Sequence, residues 1–351
     1  MTPRANTTNT RKQFAVTLKT VAERVGFTPG TVSAVLNNSA ASRSFPERTK
    51  NKILAAAREL NYRPNLLARS LRVKRTHTIG VIAEEIGDAY GALVIGGIER
   101  HLGQHGYLFL TVAHRHDAKL LDTYAQLLLQ RGVEGIITVD ASMHRLMPIP
   151  VVAIAGHRRV KGVTNLVLDH RAAARLALRH LQELGHTEIV FMHGPTTSSD
   201  SEDRWGAIVE VSRKLGVAIR PGLTARLTGE AGVPQVGYPF VKRLIERGKR
   251  FTAVFAYNDN AAAGAIRGIR DAGLRVPEDV SVVGFDDIAS AAYGNPSLTT
   301  VRQPLREMGE LAAKTVLERI ENRGRYRPEI TVAPEFVVRQ STARASGLSR
   351  G

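Results

Sequence analysis

The sequence predicts a small all-α head followed by an α/β core that consists of two doubly wound subdomains. Two short amphipathic segments flank Gly26 near the start of the chain, and from Thr78 onwards strand-like and helical patterns alternate in two successive series. Strands that alternate with helices are typical of parallel sheets covered on both faces. A chain of 351 residues is long enough for two or three such domains.

The head and the core differ in net charge. The whole chain carries a formal net charge of +17. Residues 1–76 contain 15 Lys or Arg and 3 Glu, whereas the rest of the chain carries a net charge of only +5. A basic head on a nearly balanced body is the distribution expected of a protein that binds a polyanion through that head.

Composition makes several other classes of protein improbable. A hydrophobic content of 43% is enough for packed cores, and the lack of a run of about 18 apolar residues predicts no membrane-spanning helix. The polar start lacks the apolar segment of a secretion signal, which favours a cytoplasmic protein. The absence of cysteine excludes disulfides and cysteine-ligated metal sites.

The head is organised around Leu18–Asn37, which reads LKTVAERVGFTPGTVSAVLN. Apolar residues recur at helical spacing on both sides of Gly26, namely Val21, Ala22 and Val25 and then Val32, Val35 and Leu36. Thr28 can cap the second helix, and Pro29 suits its first turn. Helix, glycine turn and helix form the helix-turn-helix pattern, whose second helix enters the major groove of DNA. The alternative is an ordinary pair of antiparallel helices.

The neighbouring segments complete the head. We expect a disordered lead before Thr17, a loop over Asn38–Phe45 and a third helix from Pro46 to about Leu60. Pro64 then ends the helical pattern, and a short basic helix follows over Leu66–Arg72. Such a helix can fold on DNA and insert a leucine between base steps of the minor groove. The alternative is a simple linker that packs on its neighbours.

The core begins with a buried-strand pattern at Ile79–Ala83. The first series continues with helix Ala92–His105, strand Tyr107–Val112, helix Lys119–Arg131, strand Gly135–Val139 and strand Val151–Ile154. The second series comprises strand Val163–Leu168, helix Ala172–Leu184, strand Glu188–Met192, helices Asp203–Leu215 and Val236–Arg247, strand Ala253–Ala256, helix Asn260–Ala272 and strand Ser281–Gly284. A last helix, Pro304–Asn322, precedes one final strand at about Ile330–Val338. Ligands of such sheets bind beyond the carboxyl ends of the strands.

These patterns predict the domain boundaries. We assign residues 1–16 to the lead, 17–63 to the helix-turn-helix head, 64–76 to the hinge, 77–342 to the core and 343–351 to a frayed tail. Within the core, subdomain 1 comprises about 77–160 and 291–324, and subdomain 2 comprises about 161–290 and 325–342.

Five motifs give the chain a family resemblance. They are TLKTVAERVGFTPGTVSAVLN, ELNYRPNLLARSL, HLQELGHTEIVFMHGP, FAYNDNAAAGAIRGIRDAGLRVPEDVSVVGFDD and LTTVRQP. Over about Thr17–Thr342 the sequence resembles the LacI family of bacterial repressors. The resemblance implies a DNA-binding head on a periplasmic-binding-protein-like core. It also implies a homodimer that binds a palindromic operator in double-stranded DNA and takes a small effector between its two lobes.

The resemblance also implies roles for residues of the head and hinge. The matched positions are Thr28, Pro29, Gly30 and Ala34 for base edges, and Thr28, Thr31, Ser33 and Asn37 mainly for backbone phosphates. In the hinge they are Asn65, Ala68, Arg69, Leu71 and Arg72, with Leu71 as the intercalating leucine. Because Pro29, Gly30 and Ala34 offer no side-chain donor, we expect sequence preference to depend more on the hinge and on DNA deformability.

For the effector, the resemblance points to Tyr90, Asp169, Arg204, Asn258 and Asp286. A guanidinium, an amide and carboxylates supply the donors and acceptors that vicinal hydroxyls need, so we expect a sugar or a sugar derivative. The aromatic residue that the family often has near the position of Ala231 is absent, which leaves a nucleobase or nucleoside effector open.

Other interpretations of the same residues remain. Glu84 and Glu85 follow the first strand, where they could accept sugar hydroxyls, bind a cationic group or simply be exposed. Asp286 could cap the next element, and Arg204 could pair with Asp200 or Asp203 on a surface helix.

Other classes of function fit the sequence less well. The chain has no P-loop, no G-x-S-x-G and no H-E-x-x-H motif, so we expect neither an enzyme nor a cofactor. The segment His114–Asp117 lies in a polar turn without a second ligand cluster, so we expect no metal. A solute-binding protein of the transport type would share the two lobes but lack the basic head.

Overall fold

The computed structural model describes residues 16–63, 75–115, 117–228, 237–322 and 326–345. The chain divides into two compact units, Met1–Thr76 and His77–Gly351. The predicted hinge helix, with Asn65, Ala68, Arg69, Leu71 and Arg72, lies outside the described residues. The same holds for Ala231, for the predicted lead up to residue 15 and for the tail from residue 346.

The described part of the first unit contains three α-helices, which we name α1 (Leu18–Val25), α2 (Pro29–Leu36) and α3 (Glu47–Glu59). Their apolar faces form one small core around Val21, Val32 and Ile53, all fully buried. The predicted loop before α3 holds a short 3₁₀ helix, Ala40–Ser44.

The turn between α1 and α2 has the predicted chemistry. Gly26 ends α1 with φ +75°, a left-handed conformation that glycine adopts without steric cost. Thr28 caps α2 by accepting a hydrogen bond of 3.2 Å from the backbone N–H of Thr31, and Pro29 occupies the first turn. The predicted helix-turn-helix is therefore confirmed.

The described part of the second unit contains two six-stranded sheets. The first consists of β1 (Thr78–Ala83), β2 (Leu108–Ala113), β3 (Gly135–Val139), β4 (Val151–Ile154), β5 (Val163–Leu168) and β11 (Glu329–Val332). Its order is β11-β5-β4-β3-β1-β2, and every pair is parallel. We call this sheet and its helices lobe 1. Those helices are α4 (Ala89–Gln104), α5 (Ala118–Gln130) and α11 (Leu305–Ile320).

The second sheet is the centre of what we call lobe 2. It consists of β6 (Ile189–His193), β7 (Thr224–Arg226), β8 (Ala253–Phe255), β9 (Ser281–Asp286), β10 (Thr299–Arg302) and β12 (Glu335–Val337). Its order is β12-β10-β9-β8-β6-β7, with β12 antiparallel to β10 and the other pairs parallel. Its helices are α6 (His170–Glu183), α7 (Ser201–Leu215), α8 (Tyr238–Glu246), α9 (Asp259–Asp271) and α10 (Ala289–Tyr293).

The predicted subdomain boundaries are wrong at three places. β5 belongs to the first sheet, where it pairs with β4, although it was assigned to subdomain 2. β10 was not predicted as a strand, and it lies in the second sheet rather than in subdomain 1. The single strand expected at Ile330–Val338 is in fact β11 and β12, one in each sheet, separated by Ala333 and Pro334. The chain therefore passes between the lobes three times.

Two helices of lobe 1 cross with their backbones in contact. A Cβ atom added to Gly97 of α4 would lie 2.0 Å from the carbonyl oxygen of Arg306, in α11. A Cβ added to Gly309 of α11 would lie 2.1 Å from the carbonyl oxygen of Val94, in α4. Only glycine fits at both positions, and the crossing lets the buried face of α11 pack on the first sheet.

The sequence predicts no membrane-spanning helix, and the helices of the structure can be compared with that prediction. Among the described helices, none combines the length and the apolar character that crossing a lipid bilayer requires.

Candidate functional site

The outer face of α2 carries most of the residues that were predicted to contact DNA. Thr28, Pro29, Gly30 and Asn37 are exposed, and Thr31 and Ala34 are partly exposed, whereas Val32 and Val35 face the core of the head. The face is polar and uncharged.

Ser33 does not share this face. It is only 8% exposed, and both its hydroxyl and its carbonyl oxygen accept hydrogen bonds from the Asn37 side-chain amide, at 3.2 and 2.7 Å. Ser33 is therefore set apart from the other predicted DNA contacts of α2, and its contact with phosphate stays a prediction. Its hydroxyl holds the Asn37 side chain at the end of the helix.

An arginine at position 34 should change which operator the head prefers. Ala34 can touch a thymine methyl, whereas arginine can donate two hydrogen bonds to guanine, a discrimination of about 1–3 kcal/mol. We expect Ala34→Arg to enrich guanine at one base pair of each half-site when bound duplexes are selected from a randomised library. Ala55→Arg adds the same charge to the exposed side of α3 and should tighten binding without changing the preference. An identical preference for wild type and Ala34→Arg would contradict the role of this face.

A cleft opens beyond the carboxyl ends of strands in both sheets. From lobe 1 its lining includes Glu84 and Glu85 after β1, Asp88 and Tyr90 at the start of α4, and Asp140 after β3. From lobe 2 it includes Asp200 and Arg204 at the start of α7, Tyr257 and Asn258 after β8, and Asp286 at the end of β9. Such a position is where ligands of open parallel sheets bind.

Four of the five predicted effector residues meet in this cleft, namely Tyr90, Arg204, Asn258 and Asp286. The fifth, Asp169, does not. Its carboxylate caps α6 by accepting a hydrogen bond of 2.9 Å from the backbone N–H of Ala172, and it lines a separate surface groove. The prediction for Asp169 is corrected for this reason.

Sequence reasoning missed Asp88, Asp140, Asp200 and Tyr257. Asp140 and Tyr257 had a usable signal, because each follows a buried strand, where a cleft is expected. Asp88 had the pattern of a helix cap, which it is. Asp200 was considered only as a surface partner of Arg204.

Arg204 is the only cationic side chain that lines the cleft among the described residues. It is 4% exposed, and its guanidinium lies over the Phe285 ring at 3.8 Å and the Tyr257 ring at 4.6 Å. It donates to the Tyr257 carbonyl oxygen at 2.6 Å and to the Asp200 carboxylate. Burial opposes the charge of Arg204, but the carboxylate of Asp200 outweighs it and raises the pKa of the guanidinium. Arg204 therefore pairs with Asp200, as the sequence allowed, but the pair is buried rather than on a surface helix.

Asp200 also joins the two lobes. One of its oxygens lies 2.6 Å from Nε2 of His157, which follows β4 in lobe 1, and 2.8 Å from Nε2 of His170, which begins α6 in lobe 2. Burial alone would raise the pKa of Asp200, but the charges of His170 and Arg204 and the hydrogen bonds from both histidines hold it well below 3.8. The lobe contact is therefore a buried carboxylate shared by three donors.

The same three side chains are where a metal ion could be held. His157, His170 and Asp200 bring one ligand atom each within 4.8 Å of one another, which is the one such group among the described residues. The Asp200 carboxylate is already shared with Arg204, whose positive charge opposes a second cation. A hydrogen-bonded network accounts for the arrangement without a metal.

The lobe 1 wall of the cleft is acidic. Asp140 accepts hydrogen bonds from Ser198 and Ser199 of lobe 2, including one of 3.0 Å from the Ser199 backbone N–H. Burial, the charge of Asp140 and a hydrogen bond with Asp140 together raise the pKa of Glu84 to about 11. Burial also raises the pKa of Asp88, the cap of α4. Glu84 thus keeps its proton at neutral pH and shares it with Asp140.

Asp286 faces the cleft from lobe 2 in a strained conformation. Its φ of +110° is one that residues other than glycine rarely adopt, and such strain is concentrated at functional sites. Burial raises the pKa of Asp286 to about 7, against the opposing effects of Arg204 and of a 2.7 Å hydrogen bond from Gln303.

The proton on Glu84 should make stability fall as pH rises. Between the unfolded pKa of about 4.5 and the folded pKa of about 11, the folded chain holds a proton that the unfolded chain lacks, so unfolding becomes easier with rising pH. We expect Glu84→Gln to increase the free energy of unfolding by about 1–3 kcal/mol at pH 8 and to have little effect at pH 4.5. Urea unfolding at the two pH values measures it. Equal effects at both, or an effect matched by Glu99→Gln on the exposed side of α4, would contradict it.

Comparisons with known proteins agree with this division of the chain. A model of bacterial regulatory proteins of the lacI family matches residues 17–65, and a model of the periplasmic binding protein-like domain matches residues 178–342. The HTH-type transcriptional repressor PurR of Klebsiella pneumoniae subsp. pneumoniae is 31% identical over 336 residues, which cover 93% of this chain and 97% of PurR.

Solved structures show the same fold. The lac repressor dimer bound to operator and the anti-inducer ONPF superposes with a TM-score of 0.83 at 26% identity, and covers 94% of this chain and 100% of its own. The complex of the transcriptional regulator CelR with cellobiose has a TM-score of 0.65 at 27% identity and covers 93% of this chain and 99% of its own.

Proposed function

The chain belongs to the lacI family of bacterial regulatory proteins, and from this premise we propose that it represses transcription by binding an operator through its head, under the control of a small polar effector in the cleft. One observation carries the proposal. A single chain that spans 97% of PurR has both an exposed α2 face and a cleft lined by Arg204 and carboxylates. The relatives are transcriptional regulators rather than enzymes.

The proposed contacts with DNA come from two segments. The exposed face of α2, with Thr28, Pro29, Gly30, Thr31, Ala34 and Asn37, would lie in the major groove. The segment Asn65–Arg72 would fold on the minor groove, with Leu71 between base steps. A lac repressor dimer solved on its operator supports a homodimer on a palindromic site. Such a regulator would act in the cytoplasm, where the chromosome lies.

The proposed control is a shift between two arrangements of the lobes. Both lobes line the cleft, so a ligand that contacts both favours the arrangement in which its contacts are best. That arrangement would determine whether the hinge, residues 64–76, folds on DNA. The cellobiose complex of CelR supports a sugar or sugar derivative as the effector rather than a nucleobase.

Selection of bound duplexes from a randomised library by the full-length chain tests this function. We expect a palindromic site that is bound about 10³-fold or more tightly than random duplex, with affinity that falls between 50 and 200 mM salt. No preference for any duplex, with or without metabolites, would overturn the proposal.

A matched pair of variants tests where the DNA binds. Thr31→Asp places a carboxylate on the exposed face of α2 in its first turn, where a negative charge favours the helix. We expect it to weaken operator binding at least about tenfold through repulsion from phosphate. Ala55→Asp, which adds the same charge to α3, should weaken it less. Equal losses would contradict the placement of α2.

A further inference from the structure

The cleft contains many more acidic than basic side chains. Among the described residues, six carboxyl groups line it, from Glu84, Glu85, Asp88, Asp140, Asp200 and Asp286, against the one guanidinium of Arg204. Asp200 forms an ion pair with Arg204 and hydrogen bonds with two histidines, so its charge is compensated within the protein. The remaining excess of negative charge is concentrated on lobe 1.

The lobe 1 wall has no basic side chain among its described lining residues, and four of them are acidic. Glu84 and Asp140 are hydrogen-bonded to each other in this wall, and Asp88 lies near them at the start of α4. Negative charge gathered in a partly desolvated wall favours a positively charged group on whatever fills the cleft.

The lobe 2 wall calls for a different group on the ligand. Nε of Arg204 is buried and has no hydrogen-bond partner among the described residues, although both terminal nitrogens of the guanidinium are satisfied. Leaving a buried donor unsatisfied is costly, and a ligand oxygen would remove that cost. Asn258 and the strained Asp286 lie on the same wall. This side of the cleft therefore suits hydroxyl or ether oxygens.

An inorganic cation does not fit the lobe 1 wall. Calcium and magnesium need six or more oxygen ligands around one point. Among the described residues, only His157, His170 and Asp200 bring three ligand atoms within 4.8 Å of one another, so the carboxylates of lobe 1 do not converge in that way. Spread-out carboxylates suit an organic cation instead.

We propose that the effector is an aminated sugar or polyol, whose protonated amine contacts the carboxyl groups of Glu84, Asp88 and Asp140 and whose hydroxyls face Arg204 and Asn258. The inference rests on the proposed function, because it specifies the ligand of the same cleft. It also accounts for a cleft in which one wall is acidic and the other presents a donor without an acceptor.

Calorimetric titration of the full-length chain with matched sugars tests the proposal. The probes are glucosamine, galactosamine and mannosamine, each compared with its 2-hydroxyl parent and with its N-acetyl derivative. The amine differs from its parent at one group, and acetylation removes the charge while it keeps the nitrogen. We expect at least one amine to bind about tenfold or more tightly than both counterparts, because a charged hydrogen bond is roughly twice as strong as a neutral one.

Variants locate the amine. Asp140→Asn and Glu84→Gln should each cut the advantage of the amine over its parent to less than about threefold. Asp140→Asn removes a carboxylate from the wall, and Glu84→Gln removes the carboxyl whose proton an incoming ammonium group would displace. Glu99→Gln, on the exposed side of α4, should leave the advantage unchanged.

Each outcome bears on the proposal. If no amine binds more tightly than its parent, whether both bind equally or neither binds up to about 10 mM, the proposal is wrong. An advantage that survives both cleft variants also overturns it, since the amine then lies elsewhere. The operator selection described above tests the function separately, so a chain that selects an operator but prefers neutral sugars loses this inference alone.

Discussion

Replacing Arg204 with methionine is expected to lower the free energy of unfolding by about 3–5 kcal/mol. The substitution leaves the Asp200 carboxylate buried without its guanidinium partner, and it removes the cation that lies over the rings of Phe285 and Tyr257. Removing one partner of a buried ion pair costs more than the pair contributes, because the remaining charge is desolvated and uncompensated. Response to the effector should be lost in the same variant.

Denaturant unfolding followed by tryptophan fluorescence measures this loss. Trp205 is the single tryptophan of the chain, directly follows Arg204 and stacks on His193 at 4.8 Å, so it reports on lobe 2. The double variant Arg204→Met/Asp200→Leu should regain part of the stability, because it removes the orphaned charge. Arg213→Met, at an exposed position of the same helix, should stay within about 0.5 kcal/mol of wild type. A loss below about 1 kcal/mol for Arg204→Met would show that the pair is not desolvated.

Gly97→Ala should destabilise lobe 1 by about 3 kcal/mol or more, near the upper end of overpacking effects. The new methyl group would lie 2.0 Å from a backbone oxygen of α11, and backbone cannot rotate away as a side chain can. The two helices would have to separate, and the buried side chains of α11 would lose contacts with the first sheet.

Thermal unfolding of a matched pair measures this effect. Gly103 lies in the same helix, but the nearest atom to an added Cβ is the end of the Glu99 side chain at 3.9 Å. Gly103→Ala should therefore be neutral or stabilise by up to about 1 kcal/mol, since alanine is the better helix former. Gly309→Ala should resemble Gly97→Ala. If Gly97→Ala proves as mild as Gly103→Ala, the backbone contact is not as close as described.

Local signals in the sequence predicted the elements well. The caps at Thr28 and Gly26 follow from side-chain chemistry within a few residues, so the turn between α1 and α2 could be predicted in detail. The strands β1 and β3 were found because both faces of a parallel strand are buried, which gives a continuous apolar run. Elements as short as β7 and α10 gave no pattern to detect.

The sequence pattern could not predict which strands pair with each other in a sheet. An apolar run shows that β5 is buried but not which sheet buries it, and its neighbours in sequence suggested the wrong one. The segment that holds β11 and β12 has one alternating pattern, although its two halves pair with different sheets. These outcomes depend on contacts between residues far apart in the chain.

The candidate site could also be predicted only in part. Arg204, Asn258 and Asp286 were identified from motifs whose positions at strand ends bring them together. Asp169 has the same residue type in a similar position, but its carboxylate caps a helix instead. The acidic character of lobe 1 depends on Glu84, Asp88 and Asp140, which lie far apart in sequence, so only the folded chain shows that they share a wall.

The placement of β11 and β12 has a consequence for how the protein is made. Each of these strands completes one border of its sheet, by pairing with β5 and β10. Until β11 and β12 have left the ribosome, β5 and β10 each lack a partner on one side and are exposed to other nascent chains, and such strands template aggregation. A chain truncated shortly before Glu329 would therefore leave β5 and β10 as exposed edge strands. We expect such a chain to be found among insoluble or degraded material.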